Sequence, residues 1–208
     1  MTDFYYTHRG AGKYFRHLAN CPWTYGGIMT PRHRIHSYMR ACAAGKILGW
    51  FQGQMEFGPR ALGSRSIPAD PREPEMNAKV HNTVKFREWW RPFAPSLKKE
   101  AADEYPESAT DAPFMILTAQ VRPEKRSVIP AVTHVDGSAR PQTVEKEINP
   151  IYWRLIDEFG KRTCVPVVVN TSFNLRGEAI VHTPIDAIRT FFSSGMDALA
   201  IGSFLVEK

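Results

Sequence analysis

The sequence predicts an α/β domain built on a substantial mixed sheet, and two observations carry that prediction. Stretches with apolar residues at helical spacing alternate with short apolar runs bounded by Gly, Pro and Asn. At 208 residues the chain is also long enough for one well-buried domain, or one domain with an appendage. No internal repeat or low-complexity tract interrupts the alternation.

Residues 1–36 scatter Tyr, His, Arg, Gly, Pro and Trp without period 2 or 3.6. They read as an irregular extension, which sets the expected domain at 37–208. Tyr38 to Ala44 suits a helix that Gly45 stops, and Ile47 to Phe51 is a short buried strand. Gly53 to Pro68, with glycines at 53, 58 and 63, reads as a long loop. Asp70-Pro71-Arg72-Glu73 resembles a capping box with proline at the first helical position. Met76, Val80 and Val84 follow at spacing four, which leaves Lys85 near the helix end. Pro113 to Ala119 and Pro130 to Val135 read as strands. Asn149-Pro150 opens a helix carrying Tyr152, Leu155, Ile156 and Phe159, ended by Gly160. Residues 165–169 form a buried strand. Thr183-Pro184 caps a helix with Ile185, Ile188 and Phe192 on one face, closed by Gly195, and Ala198 to Val206 is a final strand.

Composition narrows the function classes. Hydrophobic content of 43% and charged content of 23% are ordinary for a globular protein. No stretch approaches the ~20 apolar residues that span a bilayer. Met1-Thr2-Asp3-Phe4 lacks a secretory pattern, so a cytoplasmic protein with no membrane partner is expected. Cys21, Cys42 and Cys164 are an odd number without metal-type spacing, and Cys164 reads as a buried small hydrophobe opening a strand. The seven histidines pair with no carboxylate at ligand spacing, so no protein metal site is expected. A net charge of +6 invites a nucleic-acid reading. Its distribution argues against one: there is no long basic run and no basic amphipathic helix. Several arginines sit in Gly/Pro-bounded loops instead, which suits a compact anion pocket.

Four segments hold the candidate chemistry. Phe57-Gly58-Pro59-Arg60-Ala61-Leu62-Gly63-Ser64-Arg65-Ser66 projects Arg60 and Arg65 from a loop whose glycines admit close backbone approach. By itself it also reads as a surface loop with ordinary salt bridges. Lys85-Phe86-Arg87-Glu88-Trp89-Trp90-Arg91-Pro92-Phe93 puts Lys85, Arg87 and Arg91 on one side if extended, with its aromatics buried against the core. Solvated cations, or an arginine consumed by Glu88, are the plainer alternative. Val165 to Val169 runs into Asn170-Thr171-Ser172-Phe173-Asn174, presenting amides and hydroxyls at a strand's C-terminal edge, where α/β sheets bind ligands. Asx and Ser turns would give the same letters. Arg140, after His134-Val135-Asp136-Gly137-Ser138, is the fourth candidate, with His134 read as structural.

Taken together, these segments resemble a known family. Gly49-Trp50-Phe51-Gln52-Gly53 through Gly63, Val84-Lys85-Phe86-Arg87-Glu88 with Arg91-Pro92-Phe93-Ala94-Pro95, and Val169 to Asn174 with Gly177-Glu178 resemble the C-terminal domain of NodU/CmcH-type carbamoyltransferases. The resemblance covers roughly residues 38–208 and implies a YrdC-like fold, whose hallmark pairs a Lys-x-Arg with a Ser-x-Asn segment. Here these are Lys85/Arg87 and Ser172/Asn174.

It further implies that ATP and carbamoyl phosphate bind and give carbamoyl-adenylate for O-carbamoylation of a hydroxyl. Magnesium is expected with ATP, held mainly by phosphates. Lys85 and Arg87 are then expected on phosphates, with Arg60 and Arg91 completing the anion clamp. Arg140 and Ser172 would hold carbamoyl phosphate or the α-phosphate, while Asn170 and Asn174 orient the carbamoyl or ribose-phosphate part. Full-length members carry an N-terminal actin-like domain where the acceptor is modified. Residues 1–36 do not resemble it, so a separate or missing domain is the expected partner. A threonylcarbamoyl-adenylate synthase for tRNA modification and a non-catalytic nucleotide-binding subunit are the alternatives.

Overall fold

The architecture follows from how each strand divides its side chains between two faces. In the computed structural model, which describes residues 25–28, 31–88, 90–108 and 111–208, eight strands form one mixed sheet. These are β1 (Tyr25–Ile28), β2 (Leu48–Phe51), β3 (Arg65–Ala69), β4 (Ala94–Lys98), β7 (Gln142–Val144), β8 (Val167–Ser172), β9 (Ala198–Ile201) and β10 (Phe204–Glu207). Two short strands, β5 (Ala119–Gln120) and β6 (Ser138–Ala139), pair separately. The large sheet runs β1-β10-β9-β2-β3-β8-β4-β7. β2–β9 and β4–β7 are parallel and the other pairs antiparallel.

Alternation along β8 sends Val168 to one face and Val167 and Val169 to the other. The helices are α1 (Pro31–Ala43), α2 (Glu75–Val80), α3 (Pro123–Arg126), α4 (Pro150–Thr163) and α5 (Pro184–Phe192). α1 and α4 cover the Val168 face. α1 buries Ile35, Tyr38, Met39 and Cys42, and α4 buries Tyr152, Leu155, Ile156 and Phe159, around Trp50. The opposite face packs Met76 and Val80 of α2 and Ala187 and Phe191 of α5 against Phe51, Ile67, Phe93 and Phe173. Capping fixes two of the helix starts. Asn149 Oδ1 accepts from Tyr152 N at 3.1 Å, and Thr183 with Asp186 forms a full capping box.

Several sequence expectations give way here. Most of the 1–36 extension lies outside the described residues, but Tyr25–Ile28 pairs with β10 and α1 already begins at Pro31. The expected 53–68 loop ends in β3, a central strand whose Pro68 and buried Arg65 disguise it. Asp70 caps no helix. Its Oδ1 accepts from Arg72 N at 2.9 Å and its carboxylate pairs with the Arg72 guanidinium, while α2 starts at Glu75.

Pro113 to Thr118 is irregular, with Phe114, Ile116 and Leu117 exposed, and Pro130–Val132 is a 3-10 turn rather than a strand. α4 passes through Gly160 and ends at Cys164, whose φ of 59° is left-handed. Gly160 is required instead by packing, since a Cβ there would lie 3.0 Å from the Pro166 Cα. Cys164 is exposed, not buried. The last strand is a β9/β10 hairpin turning at Gly202. Among the described residues no helix is long and apolar enough to cross a membrane.

Candidate active site

Strand direction gathers the site. β3 and β4 both run antiparallel to β8, so the C-terminal end of β8 lies beside their N-terminal ends. Asn170 pairs in register with Pro68 on one side and Ala94 on the other. β7 runs parallel to β4, which brings Arg140, just before β7, to the same end. A cavity of about 320 Å³ opens there, lined by Arg60, Arg87, Arg91, Arg140, Asn170 and Ser172, and by Met115, Thr118 and His134. Among the described residues no carboxylate lines it. A second cavity of about 260 Å³ is lined by Lys85, Arg87, Arg91, Ser172, Asn174 and Arg176, with Glu88 as the acidic residue in its lining. Arg87, Arg91 and Ser172 border both, so the two form one groove.

Lys85 closes a π-helical turn, His81–Lys85, that continues α2, and Phe86 then takes a left-handed φ of 45°. The widened turn carries the lysine under the end of β8. Its Nζ donates to the Ser172 carbonyl, to Ser172 Oγ at 3.3 Å, and to the Asn174 carbonyl and Oδ1 at 3.1 and 2.8 Å. Lys85 is only 4% exposed. Burial, with the Arg87 charge adding to it, pushes its ammonium down to about 7. Burial likewise lowers the Arg87 and Arg140 guanidiniums, reinforced by Arg91 and Arg60 respectively. Arg87 stacks its guanidinium 5.0 Å from the Phe93 ring centre. Both arginines keep a buried Nε without a hydrogen-bond partner among the described residues. The region is a concentration of positive charge that an anion would relieve.

The Gly58 to Gly63 loop is held from below. One oxygen of Glu56 accepts from the backbone N–H groups of Leu62, Ser64 and Arg65. Gly63 has φ 110°, and a Cβ there would lie 2.3 Å from the Tyr152 ring. Arg60 thus stands exposed on a fixed loop. Arg65, expected to project alongside it, is 1% exposed and stacks on Phe51 while donating to the Gln52 and Gly53 carbonyls. It is structural.

The Lys85–Phe93 segment also departs from its expected layout: Trp89 lies outside the described residues, and of the described aromatics Phe93 is buried while Phe86 and Trp90 are exposed. Glu88 pairs with Arg91 at 3.1 Å and leaves Arg87 unclaimed. The eight residues singled out from sequence thus fall along one groove. His134 also lies in its wall, where sequence reading had kept it structural; its place beside an Asp-Gly turn was the available signal. Among the described residues, no three His, Cys, Asp or Glu side chains are placed to hold a metal.

A mixed sheet with a cation-lined groove at one end of its central strands defines an α/β domain whose candidate site is cationic. The particular family is shown by sequence: residues 39–208 match the model for the carbamoyltransferase C-terminus, and the chain belongs to that family. It is 50% identical over 169 residues to nodulation protein NolNO of Sinorhizobium fredii, covering 80% of this chain and 25% of that one. It is 40% identical over 149 residues to the 3'-hydroxymethylcephem-O-carbamoyltransferase of Streptomyces clavuligerus, covering 72% and 28%. The chain therefore spans about a quarter of the length of these curated relatives. Full-length HypF, in its phosphate- and nucleotide-bound form, superposes with a TM-score of 0.58 at 15% identity over 86% of this chain and 22% of that one. That likeness concerns the fold alone, which is YrdC-like as expected.

Proposed function

We propose that this domain binds ATP and carbamoyl phosphate in the joined cavities and forms carbamoyl-adenylate. The observation that carries the reading is the groove itself: five arginines and a buried lysine converge with Ser172, Asn170 and Asn174. Water first splits carbamoyl phosphate into carbamate and inorganic phosphate. A carbamate oxygen then attacks the α-phosphorus of ATP, the bond to the β-phosphate bridging oxygen breaks, and pyrophosphate leaves. Carbamate is already nucleophilic, so the work left to the protein is to align two polyanions and to stabilise charge gained by oxygens. Arg60, Arg87, Arg91 and Arg140 suit both tasks. Lys85 sits where it can follow charge from Ser172 toward a phosphate oxygen. Magnesium would arrive on the ATP phosphates, since the described side chains offer it no cage.

Transfer to a hydroxyl acceptor falls to a separate or missing actin-like domain, consistent with a chain that spans a quarter of its relatives. A cytoplasmic location would suit these substrates. The test is pyrophosphate release from ATP with carbamoyl phosphate, together with carbamoyl-adenylate by mass spectrometry. Release with threonine and bicarbonate instead would select a threonylcarbamoyl-adenylate synthase. ATP binding without release would select a non-catalytic subunit. O-carbamoyl products from this chain alone would refute the division of labour.

A further inference from the structure

The charged lining of the groove is cationic apart from Glu88, which Arg91 pairs, yet among the described residues two acceptors in its wall have no donor. Asn170 is 2% exposed, and its Nδ2 donates to the Ala61 carbonyl at 3.0 Å and to Gln142 Oε1 at 2.9 Å. Gln142 cannot be turned round, because its Nε2 donates to the Leu62 carbonyl at 2.8 Å. The amide of Asn170 is therefore fixed, and its Oδ1 is the buried atom left without a partner. His134 presents the same situation through a different chain of contacts. Ser138 Oγ gives its one proton to Asp136 Oδ1 at 2.7 Å, so at 2.9 Å from His134 Nδ1 it can only accept. Nδ1 then carries the ring proton, and Nε2 is a lone pair, buried and unpartnered. Burial, and the nearby Arg140 charge, lower the imidazolium below its usual range despite Asp136, which keeps that lone pair free at neutral pH. The turn around it is closed by His134 N to Ser138 O at 2.7 Å and Gly137 N to His134 O at 2.9 Å.

Buried acceptors without donors are costly unless a ligand supplies the donor. Phosphate and carboxylate oxygens cannot, because they accept. Resting on the reading of this groove as a carbamoyl phosphate site, we propose that His134 Nε2 and Asn170 Oδ1 recognise the carbamoyl –NH₂ and so determine specificity against acyl phosphates that lack it. Asp136 and Ser138 are positioning residues that set the His134 tautomer. The arginines bind what all acyl phosphates share, and the two acceptors read what distinguishes this one.

Acetyl phosphate, with a methyl in place of the amine, is the probe. Calorimetry on the whole chain should show carbamoyl phosphate binding at least about 10-fold tighter than acetyl phosphate, as expected where buried groups are left unpaired by the wrong ligand. His134→Leu should erase most of that preference while binding of inorganic phosphate stays within about twofold, and His134→Gln, which restores an acceptor, should recover part of it. Should His134→Leu fail to fold, Ser138→Ala frees the tautomer and should also reduce the preference. Equal wild-type affinity for both acyl phosphates, or a preference untouched by these variants, would overturn the inference and leave the anion site standing. Binding of neither acyl phosphate nor inorganic phosphate would overturn the reading of the groove and this inference with it.

Discussion

At the scale of single residues, Lys85 shows how burial converts a common side chain into a responsive one. With its ammonium pushed down to about 7, most of it is neutral at pH 8 in the free domain. Phosphate oxygens favour the charged form, so ATP should bind with proton uptake between pH 7 and 8, an uptake that fades below pH 6 where Lys85 is already protonated. Binding enthalpies in buffers of different ionisation enthalpy measure this, and a value of zero at pH 8 would contradict it. The stability linkage runs in the same sense. The folded value lies below the unfolded one, so the unfolded chain holds the extra proton between pH 7 and about 10.4, and this group's contribution improves as pH rises through that window. Lys85→Ala should lower adenylate formation about 10²-fold or more, roughly 3 kcal/mol of transition-state stabilisation. Its circular dichroism should remain native, because the lysine bonds the last residue of β8 and the turn after it rather than packing in the core; wild-type turnover would show it idle.

At the scale of elements, the Arg60 loop depends on one backbone position. Gly63 combines φ 110° with the Tyr152 ring against its α-carbon, and its carbonyl accepts from Trp50 Nε1 at 2.9 Å. Gly63→Ala should therefore cost about 3 kcal/mol or more in urea unfolding, from backbone strain and overpacking together. A loss under about 1 kcal/mol would mean that the loop simply shifts. This contact was not readable in the sequence, where Gly63 is one more loop glycine. What was readable follows a pattern. α4 and α5 declared themselves through helical spacing and caps, α1 in its C-terminal half alone, and β8 through its run of valines. β3 and β4 did not, because each carries a proline and polar residues that a central strand seldom holds. The site cations were legible as a set, since loops bounded by Gly and Pro leave arginines few structural duties. Arg65 was the exception, because nothing local reveals that its guanidinium lies over Phe51. The acceptor role of His134 was hidden for a related reason: it rests on tautomers fixed by hydrogen bonds, which letters do not record.

At the scale of the whole molecule, the surface carries apolar side chains that its own core does not use. Phe57, Phe114 and Ile148 are exposed around a cavity of about 420 Å³ that Leu62 and Val144 also line. Such a patch should make the isolated chain self-associate at micromolar concentration. Sedimentation velocity tests this, with Phe57→Ser and Phe114→Ser together expected to restore a monomer; a wild-type monomer at high concentration would dispose of it. The sheet order described above also bears on time. β2 finds its parallel neighbour β9 only near the end of the chain, and the Ile47 amide bonds Asp197 across 150 residues. β3 likewise waits for β8. β2 and β3 can pair with each other early, but at translation speeds of about 5–20 residues per second they wait roughly 5–30 s for their outer neighbours. Nascent chains arrested before β9 leaves the ribosome should stay open to protease, and protection should begin only once it has emerged. A newly made domain is thus an unfinished sheet until its last strands arrive, and chaperones have that interval in which to hold it.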